Sequence, residues 1–278
     1  MKVLSLLLFA WTIACGGDPP RSWLDRYDVE DKSVQPLLLP REVSEASGLA
    51  TTGDGRLLCH DDERGVVYQI NPNDGAIVKR FSLGTLGIRG DFEGIAVHRE
   101  IVYLVSSNGN VYEFREGKDK QRVRYNVYRT FLNSGNDVEG LEYDPDNDCL
   151  LLLCKADPGK HHRGHKAAYA FNLKTHMLEE HPRLLIRLKD VEKRAAKPGF
   201  NPSGIALHPR GGTFFVISSD GESIIEISRS GEILNQKHLP RKTNSHPEGI
   251  AFLPDMTMVL CNDGQGGRGS LTLYRPGH

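Results

Sequence analysis

The sequence lacks three features that would indicate its functional class directly: an excess of charge of one sign, an apolar run long enough to span a membrane, and a known catalytic motif. It has no charge excess, because 35 Lys and Arg residues face 36 Asp and Glu residues and the formal net charge is −1. Without a basic tail or an arginine-rich helix, we expect no nucleic-acid partner. Its N-terminal apolar run, residues 3–13, is shorter than the roughly 20 residues that cross a bilayer. It also contains no Gly-x-Ser-x-Gly elbow, His-Glu-x-x-His pair or P-loop, so nucleophilic catalysis has no motif to support it.

One acidic stretch has the beginning of a calcium loop but lacks the rest. Asp144, Asp146 and Asp148 are spaced like the first ligands of an EF-hand. That loop needs Gly at its sixth position and a bidentate Glu at its twelfth, where this chain has Cys149 and Lys155. Asp, Asn and Pro favour turn backbone, so the stretch predicts a tight turn between two strands.

The N-terminus has the pattern of an export signal. Residues 1–14 combine one Lys, an apolar run and Ala14, and Cys15 follows where a bacterial lipoprotein is cleaved and lipidated. We predict a signal peptide over residues 1–14, a lipidated Cys15 with a tether to residue 32, and one domain over residues 33–278. An ordinary cleaved signal with an incidental cysteine is the alternative. The lipid anchor predicts a bacterial envelope protein, held at the outer membrane, facing the periplasm or the cell surface, if the host is Gram-negative.

A short motif recurs five times along the chain. The copies read ASGLA (46–50), FEGIA (92–96), VEGLE (138–142), PSGIA (202–206) and PEGIA (247–251). Their glycines are separated by 46, 46, 64 and 45 residues. Each copy is followed by further short apolar segments with Gly, Asp, Asn or Pro between them, which indicates about four strands per repeat. Four-stranded units at this spacing are typical of β-propeller blades.

The repeat predicts an all-β fold, a β-propeller of five four-stranded blades. The fifth copy lacks a fourth strand, and residues 33–40 resemble that missing strand. Pairing the two would close the ring and remove an open sheet edge. Six blades would need a further repeat between Lys155 and Asn201, where no sixth glycine motif occurs.

The second strand of each repeat ends in a small residue. These residues are Cys59, Ser106, Cys154, Ser218 and Cys261. We predict that they share one register in the blades. Three of the four cysteines other than Cys15 would then be core positions, so we expect mainly free buried thiols.

The start of the first strand and the end of the second meet at one face of a blade. Five carboxylates are thereby predicted around one mouth of the central channel, Glu93, Glu139, Glu248, Asp61 and Asp263. Converging charges are costly unless they are paired or bind a metal. Hard oxygen ligands select Ca²⁺ or Mg²⁺ over softer metals, and Ca²⁺ is the predicted cofactor. The alternative is structural, with glutamates accepting backbone hydrogen bonds and aspartates capping turns.

A basic insertion, KADPGKHHRGHK (155–166), follows the second strand of the third repeat and should arch over the same face. The predicted ligand-binding residues are Lys155, Arg163, His246 and Asp220. The lysines, arginine and histidines suit a phosphate or carboxylate; an exposed mobile loop is the alternative. A zinc site on His161, His162 and His165 lacks a carboxylate or Cys at fixed spacing.

The chain resembles the SdiA-regulated family in six strings, EASGLA, DFEGIAV, DVEGLEYDPDND, LLLLCK, NPSGIALHP and HPEGIAF. That resemblance implies a β-propeller in the bacterial envelope, often behind a signal or lipoprotein peptide, and brings no catalytic residues. The EGIA strings are also similar to esterase-like phytase and, more remotely, gluconolactonase-type propellers. Those similarities imply metal-assisted hydrolysis of a phosphoester or lactone.

Two functions follow from these patterns. The first is a membrane-tethered binding module, expected to be a monomer, whose ligand or partner is a small molecule, a glycan or an envelope protein. The second is a Ca²⁺-dependent hydrolase with metal in the acidic mouth and the substrate anion on the basic loop. Whether the protein is an enzyme stays open: three or more of the five carboxylates within ligand distance of one point, with an open coordination position, would favour catalysis, and carboxylates in separate hydrogen bonds would favour binding or a structural role.

Overall fold

The chain folds into five small sheets arranged as a ring, the predicted five-bladed β-propeller. A computed structural model describes residues 22–193 and 199–277. The predicted signal peptide and the predicted lipidation site, Cys15, lie outside these described residues. Within them, no helix is long and apolar enough to span a membrane.

Each blade is an antiparallel sheet whose first strand lies innermost. Blade 1 comprises β2 (Ala46–Thr51), β3 (Leu57–Asp61), β4 (Val66–Ile70) and β5 (Ile77–Leu83), and β9 (Arg122–Val123) joins β5 in parallel. Blade 2 comprises β6 (Phe92–His98), β7 (Ile101–Ser106), β8 (Val111–Arg115) and β10 (Tyr125–Tyr128). Their side chains alternate between the two neighbouring blades, as the two-residue period of a strand requires.

The remaining blades follow the same order. Blade 3 comprises β11 (Val138–Asp144), β12 (Cys149–Cys154), β13 (His165–Asn172) and two outer strands, β14 (Met177–Leu178) and β15 (Leu184–Arg187), which both pair with β13. A short helix, α1 (Leu188–Glu192), leads to blade 4, which comprises β16 (Gly204–Leu207), β17 (Phe214–Ser218), β18 (Ser223–Ile227) and β19 (Ile233–His238). Blade 5 comprises β20 (Pro247–Phe252), β21 (Met258–Asn262) and β22 (Ser270–Tyr274). The long interval after the third glycine is thus filled by the insertion, the outer strands of blade 3 and α1.

The ring closes through its N-terminal segment, as predicted. A two-residue strand, β1 (Leu37–Leu38), pairs antiparallel with β22 and supplies the outer strand that blade 5 lacks. The contact joins residues about 230 positions apart, because Leu37 pairs with Leu271. Without β1, the outer edge of β22 would be an unpaired strand edge, and β1 covers part of it.

The apolar core is divided among the contacts between blades. Five buried clusters lie one between each pair of neighbouring blades. The cluster between blades 4 and 5 also takes in Leu24, Tyr27 and Val29 from the N-terminal segment. Each Å² of apolar surface that is buried contributes about 25 cal/mol of favourable free energy, so these contacts are the main force that holds neighbouring blades together.

The acidic stretch at residues 144–148 is a turn between β11 and β12, as the sequence predicts. Asp144 accepts hydrogen bonds from the backbone N–H of Asp146 at 3.1 Å and from Nδ2 of Asn147 at 2.7 Å. Its carboxylate also pairs with the guanidinium of Arg229 on blade 4. Asp144 therefore caps its own turn and ties blade 3 to blade 4.

Candidate functional site at the acidic mouth of the channel

Four of the five innermost strands begin with a β-bulge at the repeated motif. In each, the pairing with the second strand shifts at the residue before the motif glycine. The residues skipped by the ladder are Ser47, Glu93, Glu139 and Glu248. A bulge re-aims the extra residue, and here three glutamates line one small cavity of about 10 Å³ at the channel mouth. That volume holds about one water molecule.

Crowding and burial raise the pKa of all three glutamates. The pKa of Glu93 rises to about 9, through burial and then through the negative charge of Glu139. For the same two reasons, the pKa of Glu248 rises to about 8. Burial also raises the pKa of Glu139, against the opposing effect of Lys155. Glu93 and Glu248 therefore hold protons at neutral pH when no other cation is near.

One lysine enters this mouth from the start of the basic insertion. Nζ of Lys155 donates to Oε1 of Glu139 at 2.8 Å. The small motif residues also turn inward: Oγ of Ser47 donates to Oε2 of Glu93 at 3.3 Å, and Oγ of Ser203 donates to the Pro247 carbonyl at 2.6 Å. The mouth thus carries three carboxyl groups against one ammonium in direct contact.

A second lysine of the basic insertion, Lys166, supports the first. Lys166 is buried at the start of β13, and its Nζ donates to the Lys155 carbonyl and, at 2.9 Å, to Oδ1 of Asn201. Burial lowers its pKa. Lys166, predicted with the other basic residues of the insertion to receive an anion, thus binds protein oxygens on a buried strand, where a lysine must find partners.

Asp61, predicted as a metal ligand, lies in a different setting. It is only 1% exposed and accepts hydrogen bonds from the backbone N–H of Arg64 at 2.9 Å and from its Nε at 3.1 Å. Carboxylate oxygens of Asp61, Glu45 and Asp62, one from each, lie within 4.8 Å of one another. In the described part of the chain, this is the group of three metal-ligating side chains that is close enough to share one metal ion. Burial, followed by the charge of Glu45, raises the pKa of Asp62 to about 6.

The five predicted metal ligands therefore fall into separate places. Glu93, Glu139 and Glu248 share the channel cavity, but their carboxylate oxygens are spaced more widely than the oxygens of Glu45, Asp61 and Asp62. A metal ion on the channel axis therefore needs oxygens from water or from a ligand to complete its coordination shell. Asp61 is paired with Arg64. Asp263 is partly buried, accepts from the Gln265 backbone N–H at 3.1 Å, and adds its charge to the surroundings of Glu248.

Of the four predicted ligand-binding residues, Lys155 is the one whose side chain contacts the channel glutamates in the described structure. Asp220 is exposed and accepts from Nδ2 of Asn201 at 3.1 Å, while its charge contributes to the raised pKa of Glu248. The His246 carbonyl accepts from the backbone N–H of Asp263 at 2.9 Å. Arg163 is exposed on the insertion. In the part of the chain that the structure describes, no group of three metal-ligating side chains includes the insertion histidines.

The predicted common register of the cysteines is wrong. Opposite the motif glycines, the second strands place His60, Val105, Leu153, Ile217 and Cys261. Cys154, Ser106 and Ser218 lie one residue further along, where blades 1 and 5 carry Asp61 and Asn262. The turn between the first two strands sets this register, and its length differs among the blades: five residues lie between β2 and β3 but two between β6 and β7. The four cysteines of the described chain are nevertheless free and buried, as expected.

No family model matches the chain, and no curated protein matches it. Solved structures do. Glutaminyl cyclase of Myxococcus xanthus is 14% identical, with 87% of this chain and 94% of that chain covered and a TM-score of 0.56. The PQQ-bound aldose sugar dehydrogenase of Streptomyces coelicolor is also 14% identical, with coverage of 87% and 97% and a TM-score of 0.53. At this identity the likeness shows the propeller fold alone.

Proposed function

We propose that this protein is a binding module tethered to the bacterial envelope, and that the acidic mouth of its propeller binds a cation, with Ca²⁺ as the first candidate. The observation that carries the proposal is the projection of Glu93, Glu139 and Glu248 into one cavity by matching bulges. Three carboxyl groups there meet a single lysine. A cation would release the protons that Glu93 and Glu248 otherwise retain.

The spacing of the carboxyl groups favours binding over a preformed catalytic metal centre. Because they do not form a tight triad, an ion on the channel axis keeps coordination positions for oxygens from outside the chain. Hydroxyl or carboxylate groups of a small molecule, a glycan or an envelope protein suit those positions. The N-terminal lipoprotein pattern and the resemblance to the SdiA-regulated family support the envelope as the place where the ligand is met.

The proposal is tested by thermal unfolding of the purified protein, first in EDTA and then in millimolar Ca²⁺. A ligand that binds only the native state raises its stability by about 2.7 kcal/mol at a concentration one hundred times the Kd. We expect the melting temperature to rise with Ca²⁺ and the rise to shrink in Glu139→Gln and in Glu248→Gln. Binding should release protons at pH 7, because Glu93 and Glu248 must ionise.

The matched control is Glu63→Gln, which neutralises an exposed carboxylate outside the cavity. It should leave the Ca²⁺ response unchanged. Equal melting temperatures in EDTA and Ca²⁺, with no response to Mg²⁺ or Mn²⁺ either, would show that the channel carboxyls serve the architecture and would refute the cation proposal.

A second candidate is a Ca²⁺-dependent hydrolase of the phosphoester or lactone type. It is favoured by the proximity of two protonated carboxyls, Glu93 and Glu248, to the ion pair of Glu139 and Lys155, since a proton donor and an ionised group in one mouth suit acid–base chemistry. The test is turnover of phosphoester and lactone panels in Ca²⁺. Activity that disappears in Glu93→Gln would support it, and no turnover in any panel would exclude these two reactions.

A further inference from the structure

The opposite mouth of the channel opens into a cavity of a different kind, here called the apolar funnel. Its volume is about 240 Å³. All five innermost strands and the turns that follow two of them contribute to its wall, which includes Leu49, Ala50, Val97, Leu207 and Phe252. Most of these side chains are aliphatic or aromatic, so the funnel is a concave apolar site of the kind that takes small ligands.

Glu142 is the one carboxyl group in this apolar wall. Its Oε1 accepts a hydrogen bond from the backbone N–H of Tyr143 at 3.1 Å, and the backbone N–H of Leu207 also bonds its side chain. The charged groups nearest to it, Asp144 and Arg229, are already paired with each other. The carboxyl of Glu142 therefore has two backbone donors and no counter-ion of its own in the contacts described here.

We propose that the apolar funnel binds a small apolar ammonium ion, a primary amine on a compact hydrocarbon ring or chain, with its nitrogen against Glu142. The apolar wall would bury the hydrocarbon, and the ammonium would donate to the carboxylate, forming a charge-assisted hydrogen bond. The ligand is small, because 240 Å³ falls below the roughly 300–1,000 Å³ of sites for drug-sized molecules.

The alternatives fit this wall less well. An anion would face the carboxyl of Glu142 with no cation in the lining to receive it. A neutral hydrocarbon fills the space but forms no bond with the polar group at its wall. A cation without an apolar body would give up its hydration for a single carboxylate, which is unfavourable in an apolar site.

The test compares cyclohexylamine with cyclohexanol, which has a similar shape and no charge. Titration of each probe against the purified protein, followed by ligand-observed NMR at pH 9, gives two dissociation constants. An alkylammonium with a pKa near that of lysine, about 10.4, is still charged at this pH. We expect cyclohexylamine to bind about tenfold more tightly or better, as a hydrogen bond to a charged group predicts. In Glu142→Gln, which keeps the acceptor for Tyr143, the two probes should bind about equally.

Two further variants keep the outcome decisive. Ala50→Leu places extra side chain in the wall and should weaken both probes, with the melting temperature showing that the variant is folded. Glu248→Gln, at the acidic mouth, should leave both probes unaffected. Cyclohexylamine binding that survives Glu142→Gln and disappears in Glu248→Gln would overturn the assignment to the funnel, and so would equal affinity of the two probes for the wild-type protein.

Discussion

The two mouths of the channel are formed by the same five strands, yet one is acidic and the other apolar. At the strand starts, bulges take Glu93, Glu139 and Glu248 out of the ladder and point them at the axis. At the strand ends, regular pairing continues, and apolar residues such as Leu207 and Phe252 line the funnel. The difference shows that a local irregularity in the ladder, repeated around the ring, is what concentrates polar chemistry at one end of the channel.

The close approach of the innermost strands at the acidic mouth gives the largest expected effect. A Cβ added at Gly249 would lie 2.6 Å from Sγ of Cys261 and 2.7 Å from Cα of Gly48 in the neighbouring blade. We expect Gly249→Ala to lower the free energy of unfolding by about 1–3 kcal/mol, as overpacking does. Chemical denaturation measures the change. Gly53→Ala, where nothing lies within 4 Å, is the control and should stay within about 0.5 kcal/mol of wild type.

The pH dependence of stability tests the acidic mouth itself. Glu248 has a pKa of about 8 in the native protein, above the 4.5 of an ordinary glutamate. Its proton therefore stabilises the native state fully below about pH 4.5, and this contribution is lost as the pH rises to about 8. In EDTA at pH 8, Glu248→Gln should be more stable than wild type by at least about 1 kcal/mol, the equivalent of one pKa unit. A variant with the same pH profile as wild type would contradict the raised pKa.

Removing the lysine should make the acidic mouth a better cation site. Lys155 neutralises Glu139 in direct contact, so an incoming cation competes with it. We expect Lys155→Met to raise the affinity for Ca²⁺ by up to about tenfold, or about 1.4 kcal/mol. Calorimetric titration measures this change. Lys160→Met, on an exposed part of the same insertion, should bind Ca²⁺ as wild type does; weaker binding by Lys155→Met would instead make the lysine part of the site.

The smallest effect is expected at the apolar funnel. The pKa of Glu142 is also about 8, through burial first, but two backbone N–H groups favour its charged form. As for Glu248, the protonated carboxyl of Glu142 stabilises the native state at low pH, and this stabilisation is lost as the pH rises toward 8. In EDTA at pH 9 we expect Glu142→Gln to gain less stability over wild type than Glu248→Gln does at the same pH, measured by denaturation, because the Gln amide offers one acceptor oxygen to the two backbone donors where the carboxylate offers two. A gain larger than that of Glu248→Gln would reverse the comparison between the two mouths.

Asp61 and Glu248 show how far the candidate site can be predicted from the chain. Asp61 ends the second strand of blade 1 and Glu248 lies at the start of the first strand of blade 5, and the repeat predicts both as ligands of one metal ion at the same mouth of the channel. In the structure, Asp61 accepts from Arg64, three residues later, whereas Glu248 faces Glu139 from another blade. The turn after β3 decides which carboxylate meets an arginine. No spacing of motifs contains that information, because it depends on the path of the backbone through a few residues.

The number of blades and the closure of the ring follow from the chain alone. The motif interval and the missing fourth strand of the last repeat predicted both, because strand periodicity and turn residues are local properties of the chain. The one-residue shift at the bulges and the side chains that meet across the channel are visible in the folded protein alone. Those outcomes depend on hydrogen bonds and packing between residues that lie 40 to 200 positions apart in the chain. Across the closure of the ring, for example, the thiol of Cys261 in the last blade donates to the backbone carbonyl of Ala46 in the first. A pattern along one strand carries no record of them.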